Sequence, residues 1–233
     1  MLSVFIPVYN EEKVLETTIK ETLKTLGGME IELFIVDDTS TDGTPHIAAA
    51  LSAKDRRVRH LRYGNGPSRR ENLAKSFRQA RGKFIAFLDA DLSASPVYIP
   101  KMLDELERND ADMVIASRYL PDSNTKRELS RLFFSRLCNW SLRLFFASKV
   151  HDHQYGLKLF KRDVILGLVD EAGYDEGMTR GFSWDAEILL RAQRHGHRII
   201  EYPIKWVRSD RTSVRPMRDV KMIPYLVSLR MRL

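Results

Sequence analysis

Apolar runs alternate with charged, helix-spaced stretches through the first half of the chain. Leu2–Val8 is a short apolar run that reads as a strand, and residues 11–26 carry Val14, Ile19, Leu23 and Leu26 among charges at near-helical spacing. Ile31–Val36 is a β-branched run that stops at Asp37-Asp38, and a Ser/Thr/Gly turn follows. Thr44 and Pro45 there suit the cap and first turn of a helix reaching about Ser52. Val58–Tyr63 predicts a third strand, Ser68 can cap a helix running to Ala80, and Phe84–Leu88 predicts a fourth strand ending at Asp89. Pro96–Arg108 reads as helix and Met113–Ser117 as a fifth strand. This alternation is the pattern of a mostly parallel, Rossmann-like α/β sheet flanked by helices, in which ligands sit beyond the carboxyl ends of the strands.

The second half is less regular. Residues 128–147 predict a long, unusually apolar helix, Gly156–Phe160 a strand, and 182–195 a helix. Ile199–Val207 reads as a strand that Pro203 interrupts, which suits a sheet edge. Val220–Leu233 predicts a short closing helix. With no clear linker, the expected organisation is one catalytic domain over residues 1–215 and a basic helical extension over 216–233.

Composition changes the picture in three ways. The 233 residues suffice for one sizeable core. Cys138 is the single cysteine, which excludes an internal disulfide or a cysteine-built zinc site and suits a reducing compartment. The N-terminus has no basic region followed by an apolar one, so no secretory signal is expected, and no run reaches the ~18 apolar residues of a membrane span. The net charge of +7 is concentrated at the end: residues 205–233 hold eight Lys or Arg against Asp210 and Asp219. Such a tail suits phosphates or a membrane surface, or stands as a solvated basic face.

The candidate chemistry lies at the strand ends. Asp89-Ala90-Asp91 follows a buried apolar run, and two carboxylates one residue apart can share a hard cation such as Mg²⁺ that completes its shell with phosphate oxygens and water. Asp37 or Asp38 can accept a hydrogen bond from a nucleobase, while either can instead cap the turn. Tyr9 can pack on a base. Glu11 stands at a helix start, where its charge is stabilised. If 128–147 is helical, Arg131 and Ser135 share a face one turn apart, and a guanidinium is the preferred partner of a phosphate. The other faces carry Leu129, Leu132, Phe133, Leu137, Trp140 and Leu144, so this helix suits a membrane interface or, alternatively, a core position.

Four segments in order, Phe5-Ile-Pro-Val-Tyr-Asn-Glu-Glu, Ile35-Val-Asp-Asp-Thr-Ser-Thr-Asp-Gly-Thr, Ala80-Arg-Gly-Lys-Phe-Ile-Ala-Phe-Leu-Asp-Ala-Asp and Ala116-Ser-Arg-Tyr, resemble the family 2 glycosyltransferases with the GT-A fold. Asp152-His-Gln-Tyr-Gly-Leu-Lys-Leu-Phe-Lys-Arg, Gly181-Phe-Ser-Trp-Asp-Ala-Glu-Ile-Leu-Leu and Glu201-Tyr-Pro-Ile-Lys-Trp are similar to the dolichyl-phosphate glucosyl- and mannosyltransferases within that family. The resemblance implies a metal-dependent, inverting transfer of a hexose from a UDP- or GDP-sugar to a dolichyl or polyprenyl phosphate. It implies that Pro7, Tyr9, Asn10, Glu11, Asp38, Arg70, Asp89, Ala90 and Asp91 hold the nucleotide sugar. Asp89 and Asp91 would bind Mg²⁺ or Mn²⁺, and Arg118, Arg131, Ser135, Arg211 and Ser213 the acceptor phosphate. Asp89, Asp91 and Asp185 form the implied catalytic set. Two positions depart from the pattern. Ser93 stands where a better metal ligand is common, and Val214 replaces a lysine in the closing Arg211-Thr-Ser-Val-Arg215 motif.

The expected setting is the cytoplasmic face of a membrane, with peripheral attachment. One rival reading is transfer to a glycan, protein or other hydroxyl, which needs a base; Asp185 and Glu187 are the candidates, Asp185 first, although Asp185 can instead orient the acceptor. A remoter rival is a basic nucleic-acid-binding module, but the chain carries no nucleic-acid-binding motif, and no nucleic acid is expected as a partner. A Rossmann dehydrogenase is disfavoured because no Gly-x-Gly-x-x-Gly follows the first strand.

Overall fold

A computed structural model describes residues 1–67, 70–93, 95–125, 129–174, 180, 183–206 and 223–233. The strands of the first half are β1 (Leu2–Val8), β2 (Ile31–Asp37), β3 (Val58–Arg62) and β4 (Phe84–Leu88); β1, β2 and β4 are buried on both faces, and β3, at the sheet edge, only at Val58. They are parallel, with β1 between β2 and β4. Parallel strands need crossovers. These are α1 (Leu15–Thr25), α2 (Thr44–Lys54) and α3 (Glu71–Ser76), the last continued by a 3-10 turn at Phe77–Gln79. The first helix thus starts later than the charge pattern suggests, and the third is shorter than the expected run to Ala80. Ser68 lies outside the described residues.

Beyond β4 the chain forms α4 (Tyr98–Arg108), β5 (Met113–Ser117), the two-residue β6 (Asn124–Thr125) and α5 (Leu129–Phe146). It continues through β7 (Leu157–Lys161), α6 (Arg162–Ala172), α7 (Ser183–Arg194), β8 (Ile199–Pro203), β9 (Lys205–Trp206) and α8 (Ile223–Arg232). The main sheet has seven strands in the order β3-β2-β1-β4-β7-β5-β8, and β6 pairs with β9 in a small second sheet. β7 enters between β4 and β5 and runs antiparallel to both, while β8 lies parallel to β5 at the edge. The proline-interrupted segment therefore splits as expected, into an edge strand and the short β9.

The pleat divides the core into two layers. Val4, Ile6, Leu33 and Ile35 face a layer built with α1, α2 and α4, through residues such as Leu15, Ile19, Ala48 and Met102. Phe5, Phe34 and Phe87 face the other, with Phe77, Ile165, Trp184 and Ile188 from α3 and its continuation, α6 and α7. Phe5 stacks on Phe34 at 4.5 Å between ring centroids, and Phe77 meets Phe5 edge-on at 5.1 Å. The closing helix α8 buries Tyr225 and Leu229 against Leu190 of α7. Because β2 and β3 lie on one side of β1 and β4 on the other, the strand order reverses between β1 and β4. A ligand crevice is expected at their carboxyl ends.

Candidate active site

The ends of β1 and β2 are tied together by side chains. Asn10, at φ 57°, accepts a hydrogen bond from the Thr41 N–H through Oδ1 at 2.8 Å, and its own N–H donates to Ser40 Oγ at 3.0 Å. Asn10 therefore shapes the turn that it was expected to share with a ligand. The Glu11 N–H donates to Thr44 Oγ1 at 2.8 Å, while its carbonyl accepts from Leu15 and opens α1. Pro7 lies in β1 opposite Val36, one layer behind the rim. Tyr9, just past β1, is 44% exposed and presents a ring at the crevice mouth.

The two aspartates at the end of β2 have different duties. Asp37 is fully buried and accepts from the Ser40 N–H at 2.8 Å, with Arg62 Nε 3.4 Å away, so it is the turn cap. Asp38 takes a hydrogen bond from Asn72 Nδ2 at 2.5 Å. It is approached so closely by Gly66 that a Cβ there would lie 2.5 Å from Asp38 Oδ1.

Asp89-Ala90-Asp91 is fixed from both sides. The Asp89 N–H donates to the Gly156 carbonyl at 2.9 Å, and Thr18 Oγ1 of α1 donates to the Ala90 carbonyl at 2.6 Å. Asp91 Oδ1 accepts from the Ser93 N–H at 3.0 Å, and the Tyr155 hydroxyl donates to the Ser93 carbonyl at 2.7 Å. Only glycine fits at 156: a Cβ would stand 1.6 Å from Asp89 Oδ2.

Three charged side chains converge behind this loop. Arg70 donates from Nη1 and Nη2 to Asp89 Oδ1, both at 3.2 Å, and from Nε to Asp185 Oδ2 at 3.0 Å. Its guanidinium lies 5.0 Å from the Phe87 ring centroid. Lys158 of β7 donates to Asp185 Oδ1 at 2.9 Å and to the Tyr155 carbonyl at 2.6 Å. Asp185, in the first turn of α7, is fully buried and so held by a cation on each oxygen. Burial opposes the charge on Arg70, but Asp185 and Asp89 outweigh it and raise its pKa. Burial pulls Lys158 below the usual lysine range despite Asp185. Burial also pushes Asp89 up; Arg70 opposes this, while Asp91 and Asp185 add to it.

The acceptor side is built differently. Arg118, just after β5, grips Asp152 in a fork: Nε to Oδ2 at 2.7 Å and Nη2 to Oδ1 at 2.8 Å, with its backbone N–H on Oδ2 at 3.0 Å. The rings of Tyr119 and Tyr155 lie 5.4 and 5.1 Å from this guanidinium. The group assigned by resemblance to an acceptor phosphate is thus largely committed to a carboxylate. Ser135 Oγ meets the Tyr119 hydroxyl at 2.5 Å, which places Ser135 beside Arg118 through one ring. Arg131 stands one turn earlier in α5, its side chain outside what the structure describes. Arg211 and Ser213 lie outside the described residues. His153 is buried between Asn139 Oδ1 (2.9 Å) and Ser148 Oγ (2.8 Å), and burial pulls its pKa down to about 4.

Several residues of this site escaped the sequence reading. Lys158 is the one charge within Leu157-Lys-Leu-Phe, a signal that a strand interior holds a salt bridge. Arg180 donates to both oxygens of Glu71, at 2.7 and 3.0 Å, and to Glu187 Oε2 at 3.0 Å. Arg191 holds Glu187 Oε1, and the Tyr225 hydroxyl of α8 donates to Glu187 Oε2.

Asp89 and Asp91 are the residues fit to hold a divalent cation. Among the described residues no group of three or more His, Cys, Asp or Glu is gathered as a closed metal cage. A two-carboxylate donor set suits a hard cation that takes the rest of its shell from water and phosphate.

Comparison with known proteins places this geometry. The model of glycosyl transferase family 2 matches residues 3–167. The chain is 33% identical over 223 residues to glycosyltransferase AglD of Haloferax volcanii, covering 94% of this chain and 35% of the relative. It is 26% identical over 213 residues to polyprenol monophosphomannose synthase of Mycolicibacterium smegmatis, covering 89% and 77%. A dolichol-phosphate mannosyltransferase of Pyrococcus furiosus is 34% identical over 119 residues, which are 51% of this chain and 33% of that one. The chain thus spans about a third of the length of two of these relatives. Glucosyl-3-phosphoglycerate synthase from Mycobacterium tuberculosis, solved with Mn²⁺, uridine diphosphate and phosphoglyceric acid, superposes with a TM-score of 0.69 at 20% identity, over 99% of this chain and 78% of that one. That likeness is one of fold, and the GT-A fold expected from the motifs is the fold of this chain. Matched over more than half its length, with the Asp-Ala-Asp at the end of β4, the chain belongs to glycosyl transferase family 2.

Proposed function

We propose that this chain transfers a hexose, with inversion, from a UDP- or GDP-sugar to a polyprenyl phosphate at a membrane surface. The relatives named for polyprenol- and dolichol-phosphate products support the acceptor class, and the strand-end carboxylates support the donor class. Tyr9 packs on the base and Asp38 accepts from its N–H. Asp89 and Asp91 would hold Mg²⁺ or Mn²⁺, whose charge offsets that of the departing diphosphate. Arg70 donates to the diphosphate oxygens.

The observation that carries the acceptor class is the state of Asp185. Lys158 and Arg70 each hold one of its oxygens at 2.9 and 3.0 Å. Asp185 is buried and each of its oxygens already faces a cation, so neither is presented to an incoming hydroxyl. An acceptor hydroxyl would need a base, whereas a phosphate oxygen is already ionised at neutral pH and attacks the anomeric carbon unaided. Asp185 is then a positioning residue; Glu187, the other candidate base, is held in the same way by Arg180 and Arg191, so the hydroxyl-acceptor reading loses its base.

A membrane setting is supported by the outer face of α5. Leu137, Trp140 and Leu144 recur at helical spacing with 45%, 58% and 69% exposure, next to exposed Phe145 and flanked by Arg136 and Arg143. Val227 and Met231 of α8 add exposed apolar surface beside Arg230 and Arg232. Such a stripe with basic flanks suits the interface of an anionic membrane. Among the described residues no helix is long and apolar enough to cross one. The cytoplasmic face is the proposed side, in keeping with the lone cysteine.

The deciding assay offers labelled UDP- and GDP-sugars to a polyprenyl phosphate with Mn²⁺ or Mg²⁺, and again with EDTA. A lipid-linked sugar that disappears with EDTA and with Asp91→Asn is the expected result. Transfer to a hydroxyl acceptor with no lipid product would overturn the reading.

A further inference from the structure

Arg70 occupies an unusual place for a residue expected to bind phosphate. Its side chain is 10% exposed and points both Nη groups at the same oxygen of Asp89, one of the two carboxylates fit to hold a metal. Its Nε is pinned to Asp185, itself locked by Lys158. Its backbone stands at φ 100°, a region an arginine adopts only where the surroundings impose it. The fold therefore aims this guanidinium at Asp89.

We infer that Arg70 is a built-in stand-in cation, which neutralises Asp89 in the ligand-free chain and releases it when a nucleotide diphosphate arrives, so that metal and diphosphate bind as a coupled pair. The inference rests on the proposed donor site. Asp89, Asp91 and Asp185 crowd three carboxylates together, and Arg70 and Lys158 offset them when nothing is bound. A divalent ion reaching Asp89 alone must compete with the Nη groups for the same oxygen and sit beside a guanidinium of like sign. A diphosphate removes both obstacles. It brings negative charge, and its oxygens suit the planar guanidinium fork at least as well as one carboxylate oxygen does. With Nε still anchored on Asp185, the Nη end can pivot from Asp89 to the phosphates without the side chain leaving the site.

The test counts bound Mn²⁺ by electron paramagnetic resonance, on the full chain, without nucleotide and with saturating UDP or GDP. Arg70→Gln is expected to bind Mn²⁺ alone about tenfold more tightly than the unaltered chain, while the tightening produced by nucleotide shrinks by a similar factor. Arg70→Lys keeps the charge but loses the fork that bridges Asp185 and Asp89, and is expected part-way between. Arg162→Gln removes one positive charge at the opposite end of the sheet and is expected to leave Mn²⁺ binding unchanged. The exchange is overturned if Arg70→Gln melts normally yet binds bare Mn²⁺ no more tightly. Should that variant fail to fold, an Arg70→Lys protein with unaltered Mn²⁺ binding overturns it instead. Nucleotide-dependent Mn²⁺ binding that survives Asp89→Asn would instead overturn the metal site itself, and the exchange with it.

Discussion

The donor half, β1 to β4, and the acceptor half, from Arg118 onward, solve the same problem by different means. In the donor half the backbone places the chemistry: parallel strands stop at a common edge, and Tyr9, Asp38, Asp89 and Asp91 come next in the chain. Several of its other charges, such as Lys20 at 68% exposure, stay near water, whereas Arg70 and Glu71 are drawn into buried pairs with the other half. In the acceptor half the chemistry is placed by ion pairs taken out of water: Arg118 with Asp152, Lys158 with Asp185, and Arg180 with Glu71 and Glu187. A backbone-built rim tolerates loss of a neighbouring charge. A rim built on buried pairs does not, because removing one partner strands the other.

The largest test of this contrast is a pair of truncations. Arg118→Ala leaves Asp152 buried and unpaired and is expected to cost about 3–5 kcal/mol of stability. Lys20→Ala in the donor half, whose partner Glu16 is also open to water, is expected to cost under about 1 kcal/mol. Urea denaturation of both variants checks this, and equal costs would break the comparison. Acid gives the next effect. His153 is held neutral with a folded pKa of about 4, against 6.5 unfolded. The unfolded chain therefore binds the extra proton between those values, and stability falls as pH drops from about 6.5 to 4. The limit is about 3 kcal/mol, and denaturation midpoints across that range should flatten in His153→Gln.

Gly156→Ala probes the seam between the halves. The added methyl must displace Asp89, and a shift of about 1 Å in this proposed metal-holding carboxylate is expected to cost about 100-fold in kcat with the fold retained. A circular dichroism spectrum alongside the transfer assay separates the two. The smallest effect is Tyr225→Phe, which removes the α8 hydroxyl from Glu187 and should cost about 1 kcal/mol by thermal melting, with little change in turnover.

The donor half was largely readable in the chain because β1, β2 and β4 are nearly continuous apolar runs, and β2 and β4 run straight into aspartates. The roles of Asp37 and Asp38 were not separable there, since either suits the turn; burial of Asp37 beneath Ser40 decides it. The direction of β7 was hidden because a short buried strand reads alike both ways. Helix α6 went unread, although Val164, Ile165, Leu168 and Val169 mark one face, because it follows β7 without a turn. Lys158, Glu71 and Arg180 pass for surface charges until the partners that bury them are known. Such pairs join residues as much as 115 positions apart, a separation no local pattern carries.

The reversed strand has a consequence for how such a domain can diversify. The chain leaves the carboxyl edge of the sheet after β5 and returns to it at the start of β7, and Arg118 meets Asp152 where the excursion opens and closes. Their ion pair acts as a clasp at its base. Change between Arg118 and Asp152 would then bear on the proposed acceptor side, while Tyr155 and Gly156, beyond the clasp, stay with the Asp89–Asp91 loop.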